Sequence, residues 1–319
     1  MNCSIGLIRG NLIPSITSGV FENVVGQDEA RTTLDFFLGS HSLATPFPTL
    51  LFTGGHGLGK TFFAKLVAQA LGRQFLEINC RFVNTTDDFV DVVLRRIFQT
   101  NKPTTILLDE AHGLSSDLTD ALLSFTNPIP GNINKFVFRN VNISWDMSLI
   151  NIIFATTDGY KIFDPLRNRC QEIYFYPYSE DELYRIVTNY LPDIQVQCSR
   201  KDLALTCRGR GRDAFVLSEN VKRYCGNRIT VFSQNGLNDL KARLGIMPMG
   251  LKRAEVDLLR GVAEHGPISA SNLAIKLMVN VENVEEELEV RLRELGMIDS
   301  TNRGRIATEV GKKYLQQYG

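Results

Sequence analysis

Glycines, a lysine and a threonine are closely spaced between residues 54 and 61, which read GGHGLGKT. Glycines let backbone N–H groups close around phosphate oxygens, the lysine reaches the β- and γ-phosphates, and the threonine hydroxyl ligates Mg²⁺. An apolar run precedes this segment and an apolar-periodic run follows it, which predicts a strand, a phosphate-binding loop and a helix. The predicted ATP contacts are Gly54, Gly57, Leu58, Gly59, Lys60, Thr61 and Phe62, and Thr61 also ligates Mg²⁺.

Hydrolysis needs carboxylates at the end of a second strand, and the apolar run TTILLD over residues 104–109 is followed directly by Glu110. Asp109 is predicted to hold Mg²⁺, directly or through water. Glu110 is predicted to orient and polarise the attacking water as a general base. The pair therefore predicts ATP hydrolysis, with ATP and Mg²⁺ bound, and not nucleotide binding alone.

The elements that must position these residues alternate between strand-like and helix-like runs over the first 160 residues, which predicts a parallel sheet flanked by helices. A further buried strand over 150–155 ends in Thr156 and Thr157. Ligands collect at the carboxyl ends of such strands, so Gly54, Asp109 and Thr157 are expected to meet at one site. Alternating residues over 136–145 predict a projecting β-hairpin, either a partner surface or a plain connection.

Composition limits the possible classes of protein. The 319 residues include 44% hydrophobic side chains and equal numbers of basic and acidic ones, 35 of each, which suits two or three folded domains. Neutrality argues against a protein that coats nucleic acid through bulk charge, so DNA contacts should be local. Six cysteines without a C-x-x-C pair, no leader and no membrane-length apolar run predict reduced thiols in a cytoplasmic protein without a membrane partner.

From Ser179 onward apolar residues recur at helical spacing, and this pattern is interrupted at residues 245–250. Three helices, a polar tip and short flanking strands then predict a winged helix. The predicted fold is α/β: a parallel-sheet ATPase domain over 1–177, a small all-helical lid over 178–247, and a C-terminal winged-helix domain over 248–319.

The polar tip of the predicted wing carries Arg303 and Arg305 on either side of Gly304, which would let the hairpin approach a phosphate backbone. An acidic third helix suits the major groove badly, because duplex DNA is itself a dense line of negative charge. We therefore predict backbone contacts from Arg303 and Arg305, with a protein-binding winged helix as the alternative. The acidic residues of the third helix are Glu282, Glu285, Glu286, Glu287 and Glu289.

These motifs in this order identify the chain as a member of the AAA+ ATPases, and within them it resembles the RuvB family of Holliday-junction motors. The resemblance covers nearly the whole length. It is carried by VVGQ at 24–27, the phosphate loop, DEAH at 109–112, ATT at 155–157, PLRNR at 165–169, RGRGR at 208–212 and NRGR at 302–305.

The resemblance implies roles for further residues. Thr157 would be the first sensor, with Thr156 as the alternative, and Arg212 on the lid would be the second. Arg169 would be an arginine finger inserted into the ATP site of a neighbouring subunit, with Arg167 as the competing candidate. Tyr178 would pack near the adenine. The resemblance also implies a hexameric ring that acts on branched or duplex DNA. It further implies a RuvA-like partner that would bind the 136–145 hairpin.

Several positions depart from the family pattern. His56 stands where the phosphate loop usually has proline, Thr17 replaces an arginine near the base, and Ser300 replaces a basic residue of the wing. The hairpin is also predicted to be shorter than the family's. An alternative function is a clamp-loader-like switch ATPase that grips a protein, since PLRNRC is close to a loader finger motif. A third is a nucleotide-binding ring protein with weakened catalysis. The wing, in place of a collar bundle, favours the motor.

Overall fold

The computed structural model describes residues 19–41, 47–83, 85–94, 97, 102–126, 133–138, 141–146, 150–226 and 230–319. The chain divides into two compact units, the first ending at Tyr178 and the second beginning at Ser179. Thr17 and the hairpin tip at Arg139 and Asn140 lie outside the described residues. Within those residues, no helix has both the length and the apolar character needed to span a bilayer.

The first unit is built on a five-stranded parallel sheet in the order β2-β3-β6-β1-β7. Its central strands are apolar and buried along almost their whole length, as expected of a sheet covered on both faces. The predicted parallel α/β core is therefore confirmed. The strands of this unit are β1 Leu50–Thr53, β2 Gln74–Asn79, β3 Thr104–Asp109, β4 Ile133–Phe138, β5 Val141–Asp146, β6 Ile150–Thr156 and β7 Gln171–Tyr174.

Helices flank the sheet, and two separate apolar clusters fill the space around it. One helix begins at Lys60, directly after the phosphate loop. Another is capped by Ser115, whose hydroxyl accepts from Leu118 N–H. The helices are α1 Asp28–Ser40, α2 Lys60–Ala70, α3 Thr86–Phe89 with a π-helical turn Val90–Leu94, α4 Ser116–Phe125 and α5 Asp164–Arg167, with 3₁₀ turns Ala111–Gly113 and Gly159–Lys161.

The predicted hairpin is confirmed in its backbone. Strands β4 and β5 pair antiparallel from Ile133 opposite Asp146 to Phe138 opposite Val141. The pairing extends beyond the predicted 136–145 range at both ends, because the ladder continues through residues that do not alternate clearly in polarity.

The second unit begins with a helix whose first turn carries a capping box formed by Ser179 and Glu182. Four helices form the lid region, and a short parallel pair of strands that the helical prediction did not include joins them. The elements are α6 Glu180–Asn189, β8 Gln195–Gln197, α7 Arg200–Cys207, α8 Gly211–Cys225, β9 Val231–Ser233 and α9 Gln234–Arg243.

The winged helix is confirmed, and the structure adds a final helix that the sequence reading missed. Thr308 caps this helix by accepting from Gly311 N–H. A second difference is a π-helical turn within the third helix. The elements are β10 Ile246–Met247, a 3₁₀ turn Pro248–Gly250, β11 Leu251–Lys252, α10 Arg253–His265, α11 Ala270–Leu277, α12 Val281–Asn283, the π turn Val284–Leu288, α13 Glu289–Glu294, β12 Ile298–Thr301, β13 Gly304–Ala307 and α14 Glu309–Tyr318.

The lid region and the winged helix pack closely at residues 205–208 and 250–255. Gly250 has a φ of 72°, and a side chain there would collide with the carbonyl of Leu205. Arg208 donates to Glu255, and these two side chains are only 11% and 2% exposed. A buried ion pair therefore joins the two parts of this unit.

Replacing Arg208 with alanine is expected to lower the free energy of unfolding by about 3–5 kcal/mol, because Glu255 would keep a buried charge without its partner. Urea unfolding of the full chain measures this loss. The matched control is Arg200→Ala, which breaks an ion pair with Asp181 whose side chains are 62% and 72% exposed. Such a pair is worth at most about 1 kcal/mol. Equal losses in the two variants would contradict a structural role for the Arg208 pair.

Candidate active site

The phosphate loop connects β1 to α2 and has the backbone that its glycines permit. Gly54 and Gly59 adopt φ values of 152° and 105°. A side chain on Gly54 would collide with the carbonyl of Phe175, and one on Gly59 would crowd the hydroxyl of Tyr178. The loop ends at the N-terminus of α2, where unpaired N–H groups and the helix dipole favour an anion. Its geometry fits a bound phosphate chain.

Lys60 holds its ammonium group over this loop. Its Nζ donates to the carbonyl oxygens of Gly54 and Gly55 at 2.6 and 3.0 Å, and the residue is 8% exposed. A largely buried cation among backbone carbonyls of a glycine-rich loop is well placed to attract phosphate oxygens. Its predicted contact with the β- and γ-phosphates stays a prediction.

Asp109 is the last residue of β3 and Glu110 follows it directly, as predicted. Asp109 Oδ1 accepts from the backbone N–H of Glu110 at 3.0 Å. Burial raises the pKa of Asp109 above its usual range, the neighbouring Glu110 charge adds to this, and the hydrogen bond and Lys60 oppose it. A partly buried carboxylate with a second carboxylate beside it suits a divalent cation, and Thr61 supplies the hydroxyl that completes the predicted protein ligands.

Glu110 has an unusual backbone and an unusual environment. Its φ of 54° and ψ of 44° lie in the left-handed region, which is uncommon for a residue with a side chain and is found at functional sites. Its carboxylate oxygens lie 3.8 Å from His56 Nδ1 and 3.5 Å from His112 Nδ1. Its Oε2 is buried without a hydrogen-bond partner. An acceptor left open in this way suits a general base that binds a water molecule.

His112 is a site residue whose role the sequence reading missed. Its Nδ1 lies 3.1 Å from Thr156 Oγ1, and Thr156 is fully buried. The same hydroxyl accepts from Asp158 N–H at 3.0 Å. Thr156 is thus occupied in fixing His112 and the turn after β6. This favours the half-buried Thr157 as first sensor, which remains a prediction. The DEAH string was the signal that could have identified His112.

The two candidate arginine fingers have different partners. Arg167 forms a paired contact with Glu172 at 2.8–3.1 Å and also donates to Tyr174 at 3.3 Å. Arg169 donates to the carbonyl of Pro165 at 2.6 Å, and it forms no ion pair with any described residue. Since a finger must be released to reach a neighbouring site, these contacts favour Arg169.

Tyr178 donates its hydroxyl to the carbonyl of Leu58 at 3.1 Å, so it contacts the phosphate loop. Its predicted contact with adenine stays a prediction. Arg212 belongs to α8 of the second unit. Its role as second sensor also stays a prediction.

Comparison with protein families matches two parts of the chain. A model described as ATPase family associated with various cellular activities (AAA) matches residues 50–178, and one described as RuvB C-terminal winged helix domain matches residues 248–316. Similar proteins include the Holliday junction branch migration complex subunit RuvB of Anaplasma marginale (strain Florida). It is 28% identical over 308 residues, which cover 93% of this chain and 91% of that protein. The subunit of the same name from Trichormus variabilis is 27% identical and covers 96% of this chain and 86% of its own.

Solved structures share the fold. A point variant of Thermotoga maritima RuvB has a TM-score of 0.76 at 22% identity, covering 96% of this chain and 99% of that one. The structure described as the Thermotoga maritima RuvB Holliday junction branch migration motor has a TM-score of 0.73 at 21% identity, covering 92% and 96%. With an ATPase site in the first unit and a winged helix that matches the RuvB C-terminal domain in the second, the chain is an ATP-hydrolysing enzyme that is similar to RuvB proteins over nearly its whole length.

Proposed function

We propose that this enzyme is a ring-forming DNA motor that hydrolyses ATP to move four-way Holliday junctions in the cytoplasm. The proposal rests on one observation. An ATPase site and a RuvB-type winged helix occur in one chain, and that chain matches relatives named as branch migration subunits over nearly its whole length. The clamp-loader-like alternative is not favoured, because a winged helix occupies the C-terminal region where a loader would carry a collar-forming bundle.

Residues of the first unit have separate roles in hydrolysis. The phosphate loop and Lys60 hold the β- and γ-phosphates, and Glu110 accepts the proton of the attacking water. Mg²⁺, held by Thr61 and Asp109, would neutralise charge on the phosphates. Thr157 helps to place the water, and Arg169 of a neighbouring subunit stabilises the charge that develops during phosphoryl transfer. A ring, most simply a hexamer, therefore completes each site.

Contact with DNA is assigned to the wing. Arg303 is exposed at its tip. Arg305 instead donates to Glu285 and Glu289, both at 2.7 Å, and Glu289 is fully buried. Its charge is thus largely neutralised within the module. We infer that Arg303 contacts the phosphate backbone and that Arg305 mainly holds the wing against α13.

Replacing Arg303 with alanine is expected to weaken duplex binding and to lower the slope of log K against log salt by about 1, since one phosphate contact is lost. Fluorescence anisotropy at several salt concentrations measures both changes. The control is Arg253→Ala, which removes an arginine of the same module whose side chain is 84% exposed. If Arg305→Ala lowers the slope in a folded protein while Arg303→Ala does not, the two roles are reversed.

We propose that the antiparallel hairpin of β4 and β5 is the surface that binds a RuvA-like junction-binding protein. Strand exchange on a synthetic four-way junction tests the motor and the partner together. We expect ATP-dependent branch migration that a RuvA-like protein stimulates. ATP turnover without junction movement, with or without that protein, would overturn the motor while leaving the ATPase assignment intact.

A further inference from the structure

Gln27, the last residue of the VVGQ string, is buried beside the phosphate loop. It lies directly before α1 in the left-handed region, with φ 56° and ψ 43°, and is 8% exposed. Buried carboxamides in proteins have hydrogen-bond partners, so its contacts show what the side chain does there.

The carboxamide of Gln27 pairs with both backbone groups of Tyr176, which follows β7. Its Oε1 accepts from Tyr176 N–H at 3.0 Å, and its Nε2 donates to the carbonyl of Tyr176 at 2.6 Å. The same Nε2 lies 3.4 Å from the carbonyl oxygen of Leu58 in the phosphate loop. One side chain therefore bridges the loop and the segment that follows β7.

The carbonyl of Leu58 has a second donor. The hydroxyl of Tyr178 lies 3.1 Å from it, so two side chains converge on one carbonyl oxygen. A trans peptide is planar, and its C=O and N–H point in opposite directions. Gln27 and Tyr178 hold the Leu58 carbonyl oxygen on their side of the peptide, so the Gly59 N–H points to the opposite side. In that orientation the N–H can donate to a phosphate.

We propose that Gln27 is a positioning residue for phosphate binding, which acts with Tyr178 to fix the Leu58–Gly59 peptide and to tie it to Tyr176. The inference rests on the proposed ATP function. Tyr176 lies three residues before Ser179, the first residue of the second unit. The segment that leads into the helical unit is thus fastened to the loop that holds the phosphates.

The test compares Gln27→Met, which keeps the length of the side chain but cannot hydrogen-bond, with Tyr178→Phe and the double variant. Gln27→Met is expected to weaken ADP binding about 10-fold and Tyr178→Phe about 3-fold. These factors correspond to the free energy that such hydrogen bonds usually contribute. The double variant should lose less than the product of the two effects, because both donors act on one carbonyl. Titration calorimetry gives the dissociation constants of ADP and, in competition, of adenosine.

Adenosine separates positioning from a general structural role, since it lacks the phosphates. Its affinity should be unchanged in all three variants while that of ADP falls. Equal losses for both ligands, or an unchanged ADP affinity in a folded Gln27→Met, would overturn the inference. If Gln27→Met does not fold, Tyr178→Phe decides in the same way. A parent chain that binds no ADP would instead refute the proposed function.

Discussion

Replacing Glu110 with glutamine is expected to lower ATP turnover by about 10²–10⁴-fold while ATP still binds, because a carboxamide of the same size cannot accept the proton of the attacking water. Steady-state phosphate release and a direct titration of ATP measure the two quantities. The control is Glu29→Gln, which changes an exposed acid on α1 by the same substitution. It should leave both quantities unchanged.

The environment of Glu110 makes this outcome specific. Neither His56 nor His112 donates a hydrogen bond to the buried Oε2, so the oxygen that would bind water is not already satisfied. A Glu110→Gln variant with parental turnover would show that another group acts as the base. A variant that lost ATP binding as well would show that the carboxylate organises the site and does not act on the water alone.

Replacing Arg169 with alanine is expected to lower turnover by about 10³–10⁵-fold, the usual contribution of an arginine finger supplied from a neighbouring subunit. ATP binding should be retained, since the phosphate loop and acids are unaltered. Turnover measured at protein concentrations where the proposed ring would be assembled gives the effect. Arg167→Ala is the matched comparison, and we expect mainly a loss of stability, because Glu172 loses its ion-pair partner and keeps the hydrogen bond from Thr53.

Mixing inactive subunits tests whether the finger acts in trans. Arg169→Ala retains the acids and Glu110→Gln retains the finger, so an interface between the two restores one complete site. Mixed assemblies should therefore regain a fraction of parental turnover that neither variant has alone. Failure to recover activity in mixed rings, or full activity of a strictly monomeric chain, would contradict a shared site.

Local motifs made the site largely predictable. The glycines, Lys60 and the two acids occur where strands β1 and β3 end, and a parallel sheet brings such ends together whatever the intervening loops do. The final helix was equally open to prediction, because Thr308 is a good cap and apolar residues recur after it at helical spacing.

Other features depend on contacts between residues far apart in sequence, which no local pattern encodes. The sequence predicts that Arg305 is available to contact DNA. In the structure it contacts Glu285 and Glu289, which lie 20 and 16 residues away in sequence. Gln27 meets Tyr176 across 149 residues. Composition and spacing report which groups a chain has, but whether a charge is available for a ligand depends on which partners the tertiary fold supplies.

The buried Arg208–Glu255 pair has a mechanical consequence. Separating this charged pair is expensive, so we expect the lid region and the winged helix to move as one stiff body when either is displaced. In a motor of the proposed kind, a load on the winged helix would therefore reach the lid region and would not be absorbed by bending between the two.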